Sequence, residues 1–369
     1  MRLLYFTRDY TTHDHRILAS LADTEHAVYY LRLERRNRQL EDRPLPPQVK
    51  IVPWAGGQET ARLRQGPRLL LDLRRVIRQI KPDLIHAGPI QTCAFLVALS
   101  GFQPLVSMSW GSDMLVDAGR NRFYQWATRY TLRYSRVLFG DCDAVRQKAA
   151  TFDFPPERAV IFPWGIDLER FSPGEDGGLR ERKGWQDNFV LLHLRSWEPI
   201  YGVDVLAKGF VIAAQQRPEL RLFLLGGGSL ASSLRRMLSN GGVLDKVHFG
   251  GQVSQGELPR YYRAADLYLS ASHSDGSSVS LMEALGSGLP VLVSDIPGNR
   301  EWVTPGEQGW WFPDNDPYAL AEGIVRAAEQ RERLLKMRTA ARALAEERAD
   351  WNKNFEKMLA GYQMALELK

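Results

Sequence analysis

Residues 274–290, SDGSSVSLMEALGSGLP, run from a short polar segment straight into an apolar helical pattern that carries a carboxylate. The backbone N–H groups and hydroxyls of Gly276, Ser277 and Ser278 can converge on an anion, and the helix N-terminus at Val279 adds its partial positive charge. Phosphate is the natural guest. Asp275 and Glu283 flank this cradle with seven residues between them. Glu283 lies far enough along the helix to reach a second, neutral part of a phosphorylated ligand. The competing explanation is an ordinary helix capped by Ser and Asp with Glu283 in solvent, and these residues alone leave both open.

Other chemistry-bearing residues follow apolar runs. Arg195 leaves FVLLHLR and suits phosphate, because guanidinium is permanently charged and donates two parallel hydrogen bonds. Gly226 to Ser229, GGGS, permits close backbone approach but matches no phosphate-loop pattern. His13, Asp14 and His15 are adjacent and cannot all bind one ion, so no metal site is expected there. Asp14 can instead cap the helix that follows. Asp113, in Trp110-Gly-Ser-Asp113, sits in another loop of this kind.

The elements that must position these residues follow a regular scheme. RLLYFTR, AVYYLRL, LIHAG, PLVSMSW, RVLFGD and AVIFPW read as buried strands separated by helical patterns. After a Gly/Pro/acid-rich stretch, FPWGIDLERFSPGEDGG, the alternation restarts with FVLLHLR, LRLFLLGGG, KVHFGG, DLYLSAS and LPVLVSD. That stretch is the expected linker. Two doubly wound parallel-sheet domains are therefore predicted, 1–164 and 165–349, in keeping with a length of 369 residues. Residues from 317 onward read as helical throughout, and Trp351, Phe355, Met358, Leu359 and Tyr362 form an apolar stripe that must pack on something.

Composition excludes several classes. Hydrophobic content of 44% with 25% charge is globular, and no apolar run approaches a membrane span. The opening Met-Arg-Leu-Leu reads as a first strand and not as a leader, so a cytoplasmic protein is expected. The two cysteines, Cys93 and Cys142, suggest buried thiols. Net charge is +5, but residues 1–164 hold 24 Lys and Arg against 16 Asp and Glu, which makes that half +8 and the rest −3. Within it, residues 120–136 interleave arginines with Phe123, Tyr124, Trp126, Tyr130 and Tyr134. Peripheral association with the inner face of an anionic membrane is one reading and a core-packed helix with solvated arginines the other. Nothing forms a nucleic-acid recognition module.

With these residues in view, the chain resembles a family 4 retaining glycosyltransferase of the GT-B fold. Asp275 and Glu283 stand where that family has two glutamates with seven residues between them, and EALGSGLPVLVSD continues its pattern. PDLIHA at 82–87, WGSD at 110–113 and PWGIDLERFSP at 163–173 are similar to further family blocks in the same order. The resemblance implies two Rossmann-like domains facing a central cleft, with a nucleoside diphosphate sugar in the C-terminal domain, a hydroxyl acceptor in the N-terminal one, and a last helix (about 350–369) packing back on the N-terminal domain. It implies that Glu283 bonds the ribose, that Asp275 faces the sugar, that amides of Ser277, Ser278 and Val279 hold the diphosphate, and that Arg195 binds phosphate. No cofactor and no metal ion are expected.

Departures from the family pattern are specific. Asp275 is one methylene shorter than the usual glutamate, Tyr201-Gly202 replaces a Lys-Gly pair, Trp110 replaces a histidine, and TTHDHR replaces a Gly-rich turn. Asp275, Glu283 and Asp113 are the candidates for catalysis, Tyr201 is thereby a candidate on the donor side, and His13, Asp14 and Trp110, with Asp113, are candidates on the sugar or acceptor side. The expected reaction is retaining transfer of a sugar to a hydroxyl in glycan, glycolipid or small-glycoside synthesis. The competitors are a sugar phosphorylase or nucleotide-sugar epimerase on the same fold, and a non-catalytic nucleotide or sugar binder.

Overall fold

The computed structural model describes residues 1–34, 41, 43–58 and 60–368, and of Leu63 the backbone alone. The chain divides into two compact units, residues 1–163 with 352–369, and residues 164–351.

The first unit contains β1 (Arg2–Arg8), α1 (Thr12–Ala22), β2 (Ala27–Leu33), β3 (Lys50–Ile51), α2 (Gly66–Ile80), β4 (Leu84–Gly88), α3 (Phe95–Ser100), β5 (Leu105–Met108), α4 (Ser112–Leu115), α5 (Arg122–Tyr134), β6 (Ser135–Gly140), α6 (Asp143–Ala150) and β7 (Ala159–Ile161). Its seven strands are parallel in the order β3-β2-β1-β4-β5-β6-β7. Helices cover both faces, so the middle strands are apolar on both sides, as the buried run Leu3 to Phe6 in β1 illustrates. Strand order reverses between β1 and β4, and ligands of such sheets bind beyond the strand ends at that point. The chain leaves β1 there and enters α1, whose first turn carries His13 and Asp14.

The second unit contains α7 (Leu179–Lys183), β8 (Phe189–His193), α8 (Val203–Gln216), β9 (Leu220–Leu225), α9 (Ala231–Asn240), β10 (Val247–Gly251), α10 (Leu258–Ala264), β11 (Leu267–Ser270), α11 (Val279–Gly286), β12 (Val291–Ser294), α12 (Pro297–Arg300), β13 (Gly309–Phe312), α13 (Pro317–Glu329) and α14 (Arg331–Arg348). The sheet is again parallel, in the order β10-β9-β8-β11-β12-β13. Its reversal falls between β8 and β11. Arg195 follows the first of these and the 274–278 segment follows the second, so one topological feature serves both.

Three local expectations change. Two edge strands, β3 and β13, were not among the expected ones; β3 is two residues long and exposed on both, which leaves no alternation to detect. The Gly/Pro segment expected as a linker is packed: Trp164, Ile166 and Phe171 are buried, and Arg342 donates to the carbonyls of Leu168, Phe171 and Gly286 at 3.1, 2.9 and 2.7 Å. The helical tail is not continuous. It breaks at Gln330 and at Ala349–Asp350 into α13, α14 and α15 (Trp351–Glu367).

Residues 352–369 belong to the first unit. Their apolar stripe packs on strand side chains: Met358 and Tyr362 are buried, and the Tyr362 ring lies 5.6 Å from Phe139 and 5.5 Å from His86. Tyr362 OH and His86 Nδ1 share a 2.7 Å hydrogen bond. Burial lowers His86 from 6.5 to about 3. A depressed pKa means stability that is complete above pH 6.5 and lost as pH falls toward 3. Thermal unfolding scans are therefore expected to show a progressive loss over that window, and His86→Leu should flatten it while costing about 1–3 kcal/mol at pH 7 through the stranded Tyr362 hydroxyl. An unchanged acid slope in the variant would refute the assignment.

Candidate active site

In the second unit, β8 delivers Arg195 two residues past its end. The guanidinium is held on three sides. Its Nη2 lies 2.6 Å from Asp275 Oδ2, its Nη1 donates to Ser278 Oγ at 3.1 Å, and it stacks over the Tyr201 ring 4.3 Å from the centroid. The buried Nε has no acceptor among the described residues. Burial works against the Arg195 charge, and the Asp275 carboxylate with Tyr201 more than offsets it, so the pKa rises. Burial likewise pushes Asp275 above the ordinary carboxylate range while Arg195 pulls it back.

Backbone approach makes this arrangement possible. Gly202 has φ of +56°, and a Cβ there would stand 1.9 Å from the Ala271 carbonyl oxygen. The turn carrying Tyr201 thus rests directly on the loop leaving β11. Gly202→Ala is expected to displace Tyr201 from Arg195 and to destabilise the unit by at least about 1 kcal/mol, readable as a lower melting temperature. On the other side, a Cβ on Gly298 would lie 2.5 Å from the carbonyl oxygens of both Asp275 and Gly276, so α12 begins against the floor of the cradle.

The ordinary-cap explanation of the 274–278 segment does not hold. Ser278 is the N-cap of α11, but its side chain makes no cap hydrogen bond and no acidic residue lies in the first turn. Its hydroxyl instead meets Arg195 and, at 3.1 Å, Ser280 Oγ, which bonds Tyr268 OH at 2.8 Å. Ser277 Oγ accepts from Trp302 Nε1 at 3.0 Å, and Gly276 N–H donates to Asp275 Oδ1 at 3.1 Å. Val279 opens the helix. Glu283 is 3% exposed, and Tyr262 OH donates to its Oε2 at 2.7 Å. Burial and the adjacent carboxylate hold the Tyr262 pKa well up, so this phenol remains a donor. Tyr262, Tyr268, Ser280, Trp302 and Gly298 were not foreseen. Ser280 and Gly298 lie in or near the motif, whereas Tyr262 carried no signal.

The glycines at 226–228 are committed elsewhere. Ser229 donates from its N–H and hydroxyl to the Glu198 carboxylate at 3.0 and 2.5 Å, and Gly226 N–H donates to the Gly251 carbonyl.

In the first unit the structure brings His13 and Trp110 together, with ring centroids 5.4 Å apart, from the first turn of α1 and the loop after β5. Two other sugar-side candidates have a different place. Asp14 is fully buried: Oδ1 accepts from Tyr5 OH at 2.9 Å, and Oδ2 from the Thr11 N–H and hydroxyl at 2.8 and 2.6 Å. Thr11 is the helix cap, and Asp14 is the reciprocal residue of the capping box. Burial raises the Asp14 pKa to about 6. Asp113, a catalytic candidate by sequence, is 5% exposed and ties down its own loop, accepting from Ser109 Oγ and Trp110 N–H on Oδ1 and from Ile90 N–H on Oδ2. Both carboxylates spend their oxygens on backbone positioning. Among the described residues no group of three or more His, Cys, Asp or Glu could hold a metal ion, and no helix is long and apolar enough to cross a membrane.

Comparison with known proteins gives a consistent result. A family model described as Glycosyltransferase Family 4 matches residues 11–170, and one described as Glycosyl transferases group 1 matches residues 179–344. The chain is 28% identical over 242 residues to a D-inositol 3-phosphate glycosyltransferase of Thermobispora bispora, covering 63% of this chain and 56% of that protein. A protein of the same name from Acidothermus cellulolyticus is 28% identical over 375 residues, covering 88% and 80%. The chain thus spans little more than half the length of the first of these. Among solved structures, Anabaena HepE in complex with UDP-glucose superposes with a TM-score of 0.81 at 17% identity, over 98% of this chain and 99% of that one.

Proposed function

We propose that this chain, which belongs to the family 4 glycosyltransferases and has the GT-B fold, transfers a sugar from a nucleoside diphosphate sugar to a hydroxyl acceptor with retention of anomeric configuration. The observation that carries the reading is the meeting of Arg195, Ser278 and Asp275 at the start of α11, beside a buried Glu283 held by Tyr262. Relatives that carry glycosyltransferase names, and a structural neighbour that binds UDP-glucose, support it.

In this reading Arg195, the serine hydroxyls and the first-turn amides of α11, Val279 among them, hold the diphosphate. Glu283 accepts hydrogen bonds from the ribose hydroxyls. As the bond from the anomeric carbon to phosphate oxygen breaks, negative charge grows on the leaving phosphate, and Arg195 with the helix dipole stabilises it without a metal ion. The acceptor oxygen bonds the same face of the sugar, and its proton passes to the departing phosphate. His13 and Trp110 form the sugar or acceptor side of the first unit. The enzyme acts in the cytoplasm, in glycan, glycolipid or small-glycoside synthesis.

Incubation with a panel of nucleotide sugars tests this. At about 100 times its dissociation constant the right donor stabilises the fold by about 2.7 kcal/mol, and slow release of nucleoside diphosphate follows. A flat panel would overturn the donor site. Sugar 1-phosphate formed from inorganic phosphate and a glycoside would mean a phosphorylase.

Asp275 shares Arg195 with any incoming phosphate. Asp275→Asn is therefore expected to tighten binding of the bare nucleoside diphosphate by about 5–30-fold, to lower the melting temperature of the free protein, and to slow sugar transfer. Calorimetric titration reads the first effect; weaker binding would show that Asp275 supports phosphate instead of competing with it.

A further inference from the structure

The first unit carries a basic, aromatic-studded surface that the transfer chemistry does not use. On α5, Phe123, Trp126, Tyr130 and Tyr134 recur at helical spacing and form one row, with successive ring centroids 5.9, 5.7 and 4.7 Å apart. Three of its rings reach solvent, Phe123 46%, Trp126 50% and Tyr134 36% exposed, whereas Tyr130 is half-buried on the core and Phe95 supports the row from α3. Arg122, Arg129 and Arg133 fall in the adjoining row and are exposed. The buried face of the helix, Ala127, Thr128, Thr131 and Leu132, lies opposite.

A second helix adds to this surface. Both α2 and α5 pack against α3, so the three form one layer on a single face of the sheet. α2 buries Leu69, Leu73, Val76 and Ile80, and leaves Arg68, Arg74, Arg75 and Arg78 exposed around Leu71, itself 65% exposed. The acids within reach, Asp72 beside Arg75, Asp117 beside Arg120 and Asp153 beside Arg129, are too few to neutralise the layer.

We infer that the α2–α3–α5 layer docks on an anionic lipid bilayer. Exposed arginines supply attraction to lipid phosphates, and aromatic rings flanked by them suit the headgroup boundary, where one edge is wet and the other apolar. A surface built for duplex nucleic acid or a free polyanion needs the arginines but not a solvent-facing row of Phe, Trp and Tyr. The inference does not depend on the donor reading, and its test is separate from it.

The experiment is cosedimentation of the full chain with vesicles at low ionic strength. Binding is expected to vesicles of equal phosphatidylcholine and phosphatidylglycerol and not to phosphatidylcholine alone, and it should weaken as salt rises. Arg122→Gln with Arg129→Gln and Arg133→Gln should reduce partitioning about tenfold. Phe123→Ser with Trp126→Ser should reduce it by a similar factor and leave the residual binding more salt-sensitive. The arginine variant should keep the wild-type melting temperature, the aromatic variant should lose part of it with the packing on Phe95, and both should keep the nucleotide response. Equal binding to neutral vesicles, no binding to anionic ones, an aromatic variant that binds like wild type, or duplex DNA bound as tightly as the vesicles would each overturn the proposal.

Discussion

Replacing Arg195 by alanine is expected to lower kcat/KM for the nucleotide sugar by about 10²–10³-fold, the usual cost of removing one preorganised donor from developing negative charge. Three contacts anchor this guanidinium, and its buried Nε has no acceptor among the described residues. The variant also leaves Asp275 buried without a counter-charge, which destabilises by about 3–5 kcal/mol when a buried pair is broken. Stability and chemistry must therefore be separated. Combining Arg195→Ala with Asp275→Asn should restore most of the melting temperature but none of the activity. Arg195→Lys keeps a charge yet loses the planar fork, and should recover a minor part of the rate. Steady-state kinetics on folded protein decide the matter: a double variant that regains turnover would make Arg195 a structural residue.

Glu283→Ala should weaken nucleoside diphosphate binding by about 100-fold, equivalent to about 3 kcal/mol for two hydrogen bonds to a charged group. The two substitutions separate by ligand. Inorganic pyrophosphate lacks a ribose, so its binding should fall in Arg195→Ala and persist in Glu283→Ala. Tyr262→Phe removes the 2.7 Å hydrogen bond that orients the carboxylate, and should give an intermediate loss with the nucleoside diphosphate only. Equal loss of pyrophosphate and nucleotide binding in Glu283→Ala would place Glu283 at the phosphates, or show that the cradle had collapsed.

Much of the candidate site was legible because it is local. A polar turn entering an apolar helix and an arginine closing a strand are patterns within a few residues, and the alternation of strands and helices put both at strand ends. The same local logic leaves open what Asp14 and Asp113 contact. The capping place of Asp14 is local and was legible, but no local pattern tells that Tyr5 and Ile90, 9 and 23 positions away, also bond these carboxylates. Tyr262 escaped notice for the converse reason: its hydroxyl meets Glu283 across 21 positions of chain.

Periodicity, turn chemistry and the order of motifs determined the two parallel-sheet units and the cradle before α11, since strand alternation, helix entry and helix polarity follow from neighbouring residues. Tertiary structure alone decided which donors each carboxylate meets. Asp275 and Arg195 are 80 positions apart and pair only because the sheet reverses order between β8 and β11. Carboxylates with similar sequence neighbours differ in which donors the fold brings within 3 Å, Tyr5 at Asp14, Ser109 at Asp113 and Arg195 at Asp275.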